Sequence, residues 1–280
     1  MIKHILLSTV ALTFSHMAIA EPQFITNVSD LAGAESVVYD AQRQVYFVSL
    51  QAGNKNEDGS VVVLNKNKKF IATVASGLQD PKGIAVKGDL LYVGDMRHLV
   101  EVDLRSGAIK KYQPKGAEFL NDVAIDKSGD IYVSDMFTST IYKLSDGEIS
   151  SWISSSKLEN PNGMLFVGDA LYIAAWGSFS DGNPLKAPYG NLLKVDVASQ
   201  QVSSLTKQPL GNLDGIQLDK NGDFILSDWK RGLIFSVSSK GDSKVVIDVA
   251  QGAGDIHYNI DEQTLLIPMA LDGELLEYRF

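Results

Sequence analysis

The sequence predicts an all-β protein: a six-bladed β-propeller closed by pairing of the N-terminal strand with the last blade. Three observations carry this. Short runs rich in Val, Ile and Tyr alternate in polarity, and no apolar stripe of helical period and useful length appears. One template of about forty residues recurs, and four-stranded units at that spacing indicate a propeller. The two chain ends read as complementary parts of one unit.

The units follow in order. The first is "ESVVYDAQRQVYFVSL…GSVVVLNKNKKFIATV", and the second is "KGIAVKGDLLYVGDMRHLVEVDLRSGAIKKY". "NDVAIDKSGDIYVSDMFTSTIYKLSDGEISSW", "NGMLFVGDALYIAAWG…GNLLKVDVASQQVSSL" and "DGIQLDKNGDFILSDWKRGLIFSVSSKGDSKVVI" follow. The template is a strand, a turn, a strand ending in a "YVxD"-like step, a loop, and two further strands. The sixth unit, "GDIHYNIDEQTLLIPMALDGELLEYRF", reaches Phe280 after three strands. Its missing outer strand is supplied by "QFITNVSDLAG", which resembles the outer strand "KFIATVASGLQ" of Lys69 to Gln79. Pairing residues 23–29 with the last unit closes the ring and removes an open seam of unpaired strand edges.

The chain has 280 residues, 45% of them hydrophobic, which is ordinary globular composition. It has no cysteine, which excludes disulfides, thiolate metal sites and a Cys nucleophile. Residues 1–20, "MIKHILLSTVALTFSHMAIA", start with Lys3, continue as a short apolar run and end in Ala18-Ile19-Ala20. This is the pattern of a secretory signal cut after Ala20, and the run is shorter than the about 20 residues a spanning helix needs. The expectation is a periplasmic or secreted protein with one domain over residues 21–280. The formal net charge is −9, and no Lys/Arg cluster is interleaved with aromatics. Neither nucleic acid nor an anionic membrane is an expected partner. The sequence leaves the oligomeric state open.

Just before the six innermost strands stand Glu35, Lys82, Asn121, Asn162, Asp214 and Gly254. Innermost strands line the channel and start at one face, so these six positions converge on a common axis. Four of them carry side-chain oxygens, a donor set suited to a hard divalent cation. Ca²⁺ is the leading expectation, with Mg²⁺, Mn²⁺ and Zn²⁺ as alternatives. Such an ion can polarise a carbonyl or phosphoryl oxygen and acidify a bound water. "LND", "PNG" and "LDG" are also turn chemistry, the competing reading of each residue alone. Lys82 opposes a cation unless its side chain turns outward to solvent; otherwise it contacts an anionic substrate.

On these steps the sequence resembles the six-bladed gluconolactonase/regucalcin-like (senescence marker protein) family, related to diisopropylfluorophosphatase. The resemblance covers essentially the whole chain after residue 20. It implies that Glu35, Asn121 of "N-D", Asn162 of "N-G" and Asp214 of "D-G" bind one divalent metal. It also implies hydrolysis of lactones, esters or organophosphates. Where sugar-lactone members carry Arg two residues before the "N-D" Asn, this chain has Phe119, which argues against sugar-acid lactones. The "GDIH" step aligns with an "S-N-L-H" step of the organophosphate hydrolase and brings in His257. His257 is read as a base, a metal neighbour or a structural hydrogen-bond partner.

Asp95, Asp135 and Asp228 recur at the ends of second strands, as rim residues or as clamps on loop amides. Asp126 and Asp219 sit in turns at the opposite face and read as structural. The loops Gln51 to Ser60 and Gly177 to Gly190 are long and overhang the expected site. Phe137, Trp176, Phe179, Tyr189 and Trp229 lie in or near such loops, as a pocket wall or as inter-blade packing. No Ser-His-Asp order, Gly-x-Ser-x-Gly elbow or phosphate-cradling Gly loop is present.

The leading expectation is a small-molecule hydrolase with metal on Glu35, Asn121, Asn162 and Asp214. Asp214 or His257 activates water or attacks directly, and Lys82, Phe119, Asp135, Trp176 and Asp228 stand at the substrate rim. The alternative is a non-catalytic propeller of the NHL type, suggested by "PKGIAV…LYVGD", that binds a protein, peptide or glycan.

Overall fold

Alternating β-formers separated by tight turns produce strands that pair with their chain neighbours into six four-stranded antiparallel sheets, seen in a computed structural model. It describes residues 21–51, 53, 57–179 and 182–280; the expected signal segment, residues 1–20, lies outside the described residues. Blade 1 runs from Ala34 to Leu78, blade 2 from Pro81 to Tyr112 and blade 3 from Leu120 to Ser154. Blade 4 runs from Pro161 to Ser204 and blade 5 from Leu213 to Asp248. Blade 6 combines His257–Asn259, Thr264–Met269 and Glu274–Arg279 with the N-terminal strand Gln23–Val28. Gln23 pairs with Arg279 and Val28 with Leu275, so the expected closure is present. No helix among the described residues is long and apolar enough to cross a membrane.

Inner and middle strands are largely buried between neighbouring blades while outer strands are mostly exposed, so the core is six inter-blade layers rather than one centre. Between blades 1 and 2, Phe47, Val61, Val63 and Leu78 pack on Ile84, Leu91, Val93 and Val100. Between blades 6 and 1, Leu266 and Leu275 meet Val37, Tyr46, Val48 and Leu64, which makes the closure a packed seam.

Turns at the face opposite the site are shaped as expected. Asp126 Oδ1 accepts from the amides of Ser128 and Asp130 at 2.8 and 3.0 Å, and Asp219 Oδ1 does the same for Asn221 and Asp223 at 2.7 and 2.9 Å.

Asp95, Asp135 and Asp228 are fully buried and act as loop clamps. Asp135 accepts from the amides of Glu118, Phe119, Phe137 and Thr138 at 2.8–3.2 Å. Asp95 takes the amides of Gln79 and Asp80. Asp228 takes those of Lys230 and Arg231 together with the Arg231 guanidinium at 2.5 Å. This corrects the rim placement of Asp135 and Asp228, because their oxygens are consumed by the loops that carry the cavity wall. Asp135→Ala strands four amides and is expected to cost about 3 kcal/mol or more, measured by urea unfolding.

Candidate functional site at the channel mouth

The site starts from an irregularity in the strands. The ring residues were expected just ahead of the innermost strands, but five of them lie inside, as the second residue of each. At each the pairing register slips: between Ala34 and Ser36, Pro81 and Ile84, Leu120 and Val123, Pro161 and Met164, and Leu213 and Ile216. A bulge adds one residue to a strand and re-aims its side chain, here toward the axis. Serines from the second strands satisfy the displaced backbone. Ser134 Oγ accepts from the Asp122 amide at 2.9 Å and donates to the Asn162 carbonyl of the next blade at 2.9 Å. Ser227 does the same for the Gly215 amide and the Gly254 carbonyl, at 2.8 and 2.7 Å.

The glycines after two ring residues have a different cause from turn formation. A Cβ on Gly163 would lie 2.0 Å from the Asp214 carbonyl oxygen, and one on Gly215 would lie 2.4 Å from the Ile256 nitrogen. Adjacent inner strands approach so closely there that only glycine fits.

Glu35, Lys82, Asn121, Asn162 and Asp214 are all buried and line one cavity of about 200 Å³. Asn162 Nδ2 donates to Asp214 Oδ2 at 3.1 Å, and Asn121 Nδ2 lies 3.9 Å from Met136 Sδ. Three buried oxygens of the ring have no donor: Glu35 Oε2, Asn162 Oδ1 and Asp214 Oδ1. Buried polar atoms are nearly always paired, and leaving an acceptor bare carries a desolvation penalty. Burial is the main cause that raises the carboxyl pKa of Glu35 well above its ordinary range and that of Asp214 to about 8. The Lys82 charge opposes both shifts.

Lys82 does not turn outward to solvent. It is buried, its Nζ pairs with Asp80 Oδ2 at 3.0 Å, and the ammonium lies 5.4 Å from the Phe119 ring centroid. A carboxylate two residues upstream and an aromatic face compensate this cation, and Asp80 is a partner the sequence reading missed.

Below the ring lies a second compartment of about 260 Å³, walled by inner-strand residues and containing Asp122, Asp255 and His257. Asp122 Oδ2 accepts from the Met164 amide of blade 4 at 2.5 Å, and Asp255 Oδ2 accepts from Ser36 Oγ of blade 1 at 2.8 Å. These carboxylates stitch neighbouring blades, a role that spacing along one chain cannot reveal. His257 belongs to this compartment and is absent from the lining of the upper cavity. Burial lowers its pKa to about 4, which keeps the ring neutral near pH 7. A folded pKa below the ordinary 6.5 means stability is lost as pH falls from 6.5 through about 4. His257→Gln is expected to remove that contribution, so its stability at pH 4.5 relative to pH 7 is higher than in the parent protein, read as urea midpoints at the two values.

The cavity wall is aromatic. Phe119 and Phe137 stack at 4.7 Å and 13°, Phe179 meets Phe137 edge-on at 5.6 Å, and Trp176 lies 6.0 Å from Trp229. Trp176, Met136 and Ala187 form a buried cluster with Phe119, Phe179 and Trp229 against it, so wall and packing are one structure. Pro184 and Leu185 of the long 177–190 loop and Gln51 of the 51–60 loop also line the cavity. Tyr189 instead lies against the Arg231 guanidinium, 4.3 Å from ring centroid to Cζ.

The donor set fits a hard divalent cation, since two carboxylates and two amides share one cavity and three of their oxygens are bare. Among the described residues no three His, Cys, Asp or Glu side chains are grouped to hold a metal, and the ring offers two carboxylates together with two amides.

No family model and no curated protein matches the sequence. Solved structures share the fold. A gluconolactonase from Xanthomonas campestris is 16% identical with a TM-score of 0.71, over 93% of this chain and 95% of that one. A protein provisionally described as a gluconolactonase is 15% identical with a TM-score of 0.70, over 92% and 91%. An auxiliary nutrient binding protein from Bacteroides thetaiotaomicron is 11% identical with a TM-score of 0.68, over 89% of this chain and 69% of that one. The chain has the propeller fold of these gluconolactonases. One fold serves both catalysis and binding among these neighbours, so function is argued from the site.

Proposed function

We propose that the protein is a divalent-metal-dependent hydrolase of a small lactone, ester or related bond, organophosphate triesters included. The observation that carries this is the set of bare, buried oxygens: Glu35 Oε2, Asn162 Oδ1 and Asp214 Oδ1. With Asn121 they would hold the cation, Ca²⁺ foremost. A bound cation supplies Lewis-acid polarisation of the scissile carbonyl or phosphoryl oxygen.

The chain's own residues do the rest. Asp214 lines the cavity, with one oxygen accepting from Asn162 and the other offered to the cation, so it is the carboxylate placed beside a substrate drawn to the ring, to take a proton from water or to attack. His257 faces the other compartment and acts in this reading on stability rather than on substrate. Asp80 holds the Lys82 ammonium, and the aromatic wall keeps bulk water from the ring. The leader pattern of residues 1–20 supports a location in the periplasm or outside the cell.

The test is metal analysis of purified protein with a screen of lactones, aryl esters and phosphotriesters. One bound ion and turnover abolished by EDTA are expected. Absence of any ion, with a melting temperature indifferent to EDTA and Ca²⁺, would instead favour the second reading, a binding propeller. That reading draws support from the binding protein among the structural neighbours.

A further inference from the structure

We infer that the ligand is a small amphipathic molecule whose ester or lactone head sits at the ring and whose flat apolar substituent lies against the aromatic wall, in preference to a polyhydroxylated lactone. The inference rests on the hydrolase reading only for the identity of the head group.

The cavity is divided chemically. Its floor carries all four oxygen donors, whereas Phe119, Met136, Phe137, Trp176, Leu185 and Trp229 make up the wall. Two of the polar handles beside the wall already have partners. Trp176 Nε1 donates to the Pro184 carbonyl at 2.8 Å, and the Lys82 ammonium is held by Asp80 at 3.0 Å. Among the described residues, Gln51 is the one remaining polar side chain in the lining outside the ring and Lys82. A ring with several hydroxyls would leave most of them facing aromatic carbon, with no partner to replace water.

The wall has the geometry to receive a flat apolar group. Phe119 and Phe137 stack within 13° of parallel, and Phe137 is still 37% exposed. Leu185 is 61% exposed beside it, an unspent apolar surface at the entrance. Face contact with a third ring extends such a stack. The size is also restrictive, because about 200 Å³ lies below the roughly 300–1,000 Å³ of drug-sized sites.

The experiment measures binding rather than turnover. Two of the three tryptophans, Trp176 and Trp229, line the cavity, so intrinsic fluorescence reports occupancy. Ca²⁺-loaded protein is titrated with γ-phenyl-γ-butyrolactam and with gluconolactam, hydrolysis-resistant counterparts of the two lactone classes. The phenyl compound is expected to bind at least about tenfold tighter. In Phe119→Ser/Phe137→Ser the preference is expected to fall within about threefold, with circular dichroism and melting confirming the fold; Phe137→Leu serves if that variant does not fold, with a smaller fall in the same direction. Equal or tighter binding of gluconolactam, no binding of the phenyl compound, or an unchanged preference in the variants overturns the inference. If the phenyl preference holds but no lactone or ester is turned over, the hydrolase reading fails and the ligand class stands. Turnover of lactones without the preference gives the reverse.

Discussion

Asp214→Asn is expected to lose tight divalent-metal binding and to lower kcat/KM by more than the roughly 100-fold that loss of a supporting partner costs a metal site. The substitution keeps shape and removes charge. Asp214 has one oxygen in the bond from Asn162 and the other bare, so both its anionic charge and its free acceptor are available to an ion. An amide there leaves Glu35 as the only carboxylate among the four donors, and one negative charge compensates a divalent ion poorly. The variant is expected to fold, because Asn can still accept from Asn162. Metal content and lactone or ester turnover are the paired readouts. Retention of both would remove Asp214 from the centre. Loss of metal and melting temperature, with turnover retained, would make the ion purely structural.

Metal-free protein is expected to lose stability as pH rises from 6.5 to about 8, and added Ca²⁺ is expected to restore it there. Burial raises Asp214 to about 8 and Asp255 to about 7, the second eased by the bond from Ser36. Burial and the Asp255 charge raise Asp122, against the bonds from the Met164 and Val123 amides. A carboxyl whose folded pKa exceeds its ordinary value stabilises fully below that ordinary value, near 3.8 for Asp. That contribution is lost as pH rises through the folded pKa. His257 acts with the opposite sign between 6.5 and about 4, so the two effects oppose one another below 6.5 and only the carboxyl effect remains above it. Cation binding requires the deprotonated carboxylates, so its stabilisation grows over the same interval. The measurement is melting temperature at pH 5.5, 6.5 and 8 in EDTA and in Ca²⁺. A flat EDTA profile above pH 6.5, or a Ca²⁺ gain equal at all three values, contradicts the expectation. Asp214→Asn in EDTA should melt above the parent protein at pH 8, since it removes a buried charge without opening a cavity.

The blade pattern was legible because blades 1 to 5 are local objects and blade 6 departs from this only in its outer strand. Alternating Val, Ile and Tyr, turn residues such as Asp126 and Asp219, and the repeat of the template all act within about forty residues. Asn121, Asn162 and Asp214 were legible for the same reason, as equivalent positions in a repeat. Their placement inside the strands was not, because a bulge depends on the pairing strand as well as on its own residues. Asp135 and Asp228 look like rim residues along the chain, yet they are spent on loop amides that only the folded loops bring within 3.3 Å.

The sequence by itself determined the propeller, its closure by Gln23–Val28 and the convergence of Glu35, Lys82, Asn121, Asn162 and Asp214, since repetition and periodicity are properties of order along a chain. Only the tertiary structure decided what those residues experience. Asp80 neutralises Lys82, Asp122 and Asp255 tie blades together, His257 falls in the lower compartment, and Phe119 joins Phe137 in an aromatic wall. Burial, bare oxygens and shifted pKa values are set by neighbours distant in sequence, so they exist only once the ring has closed.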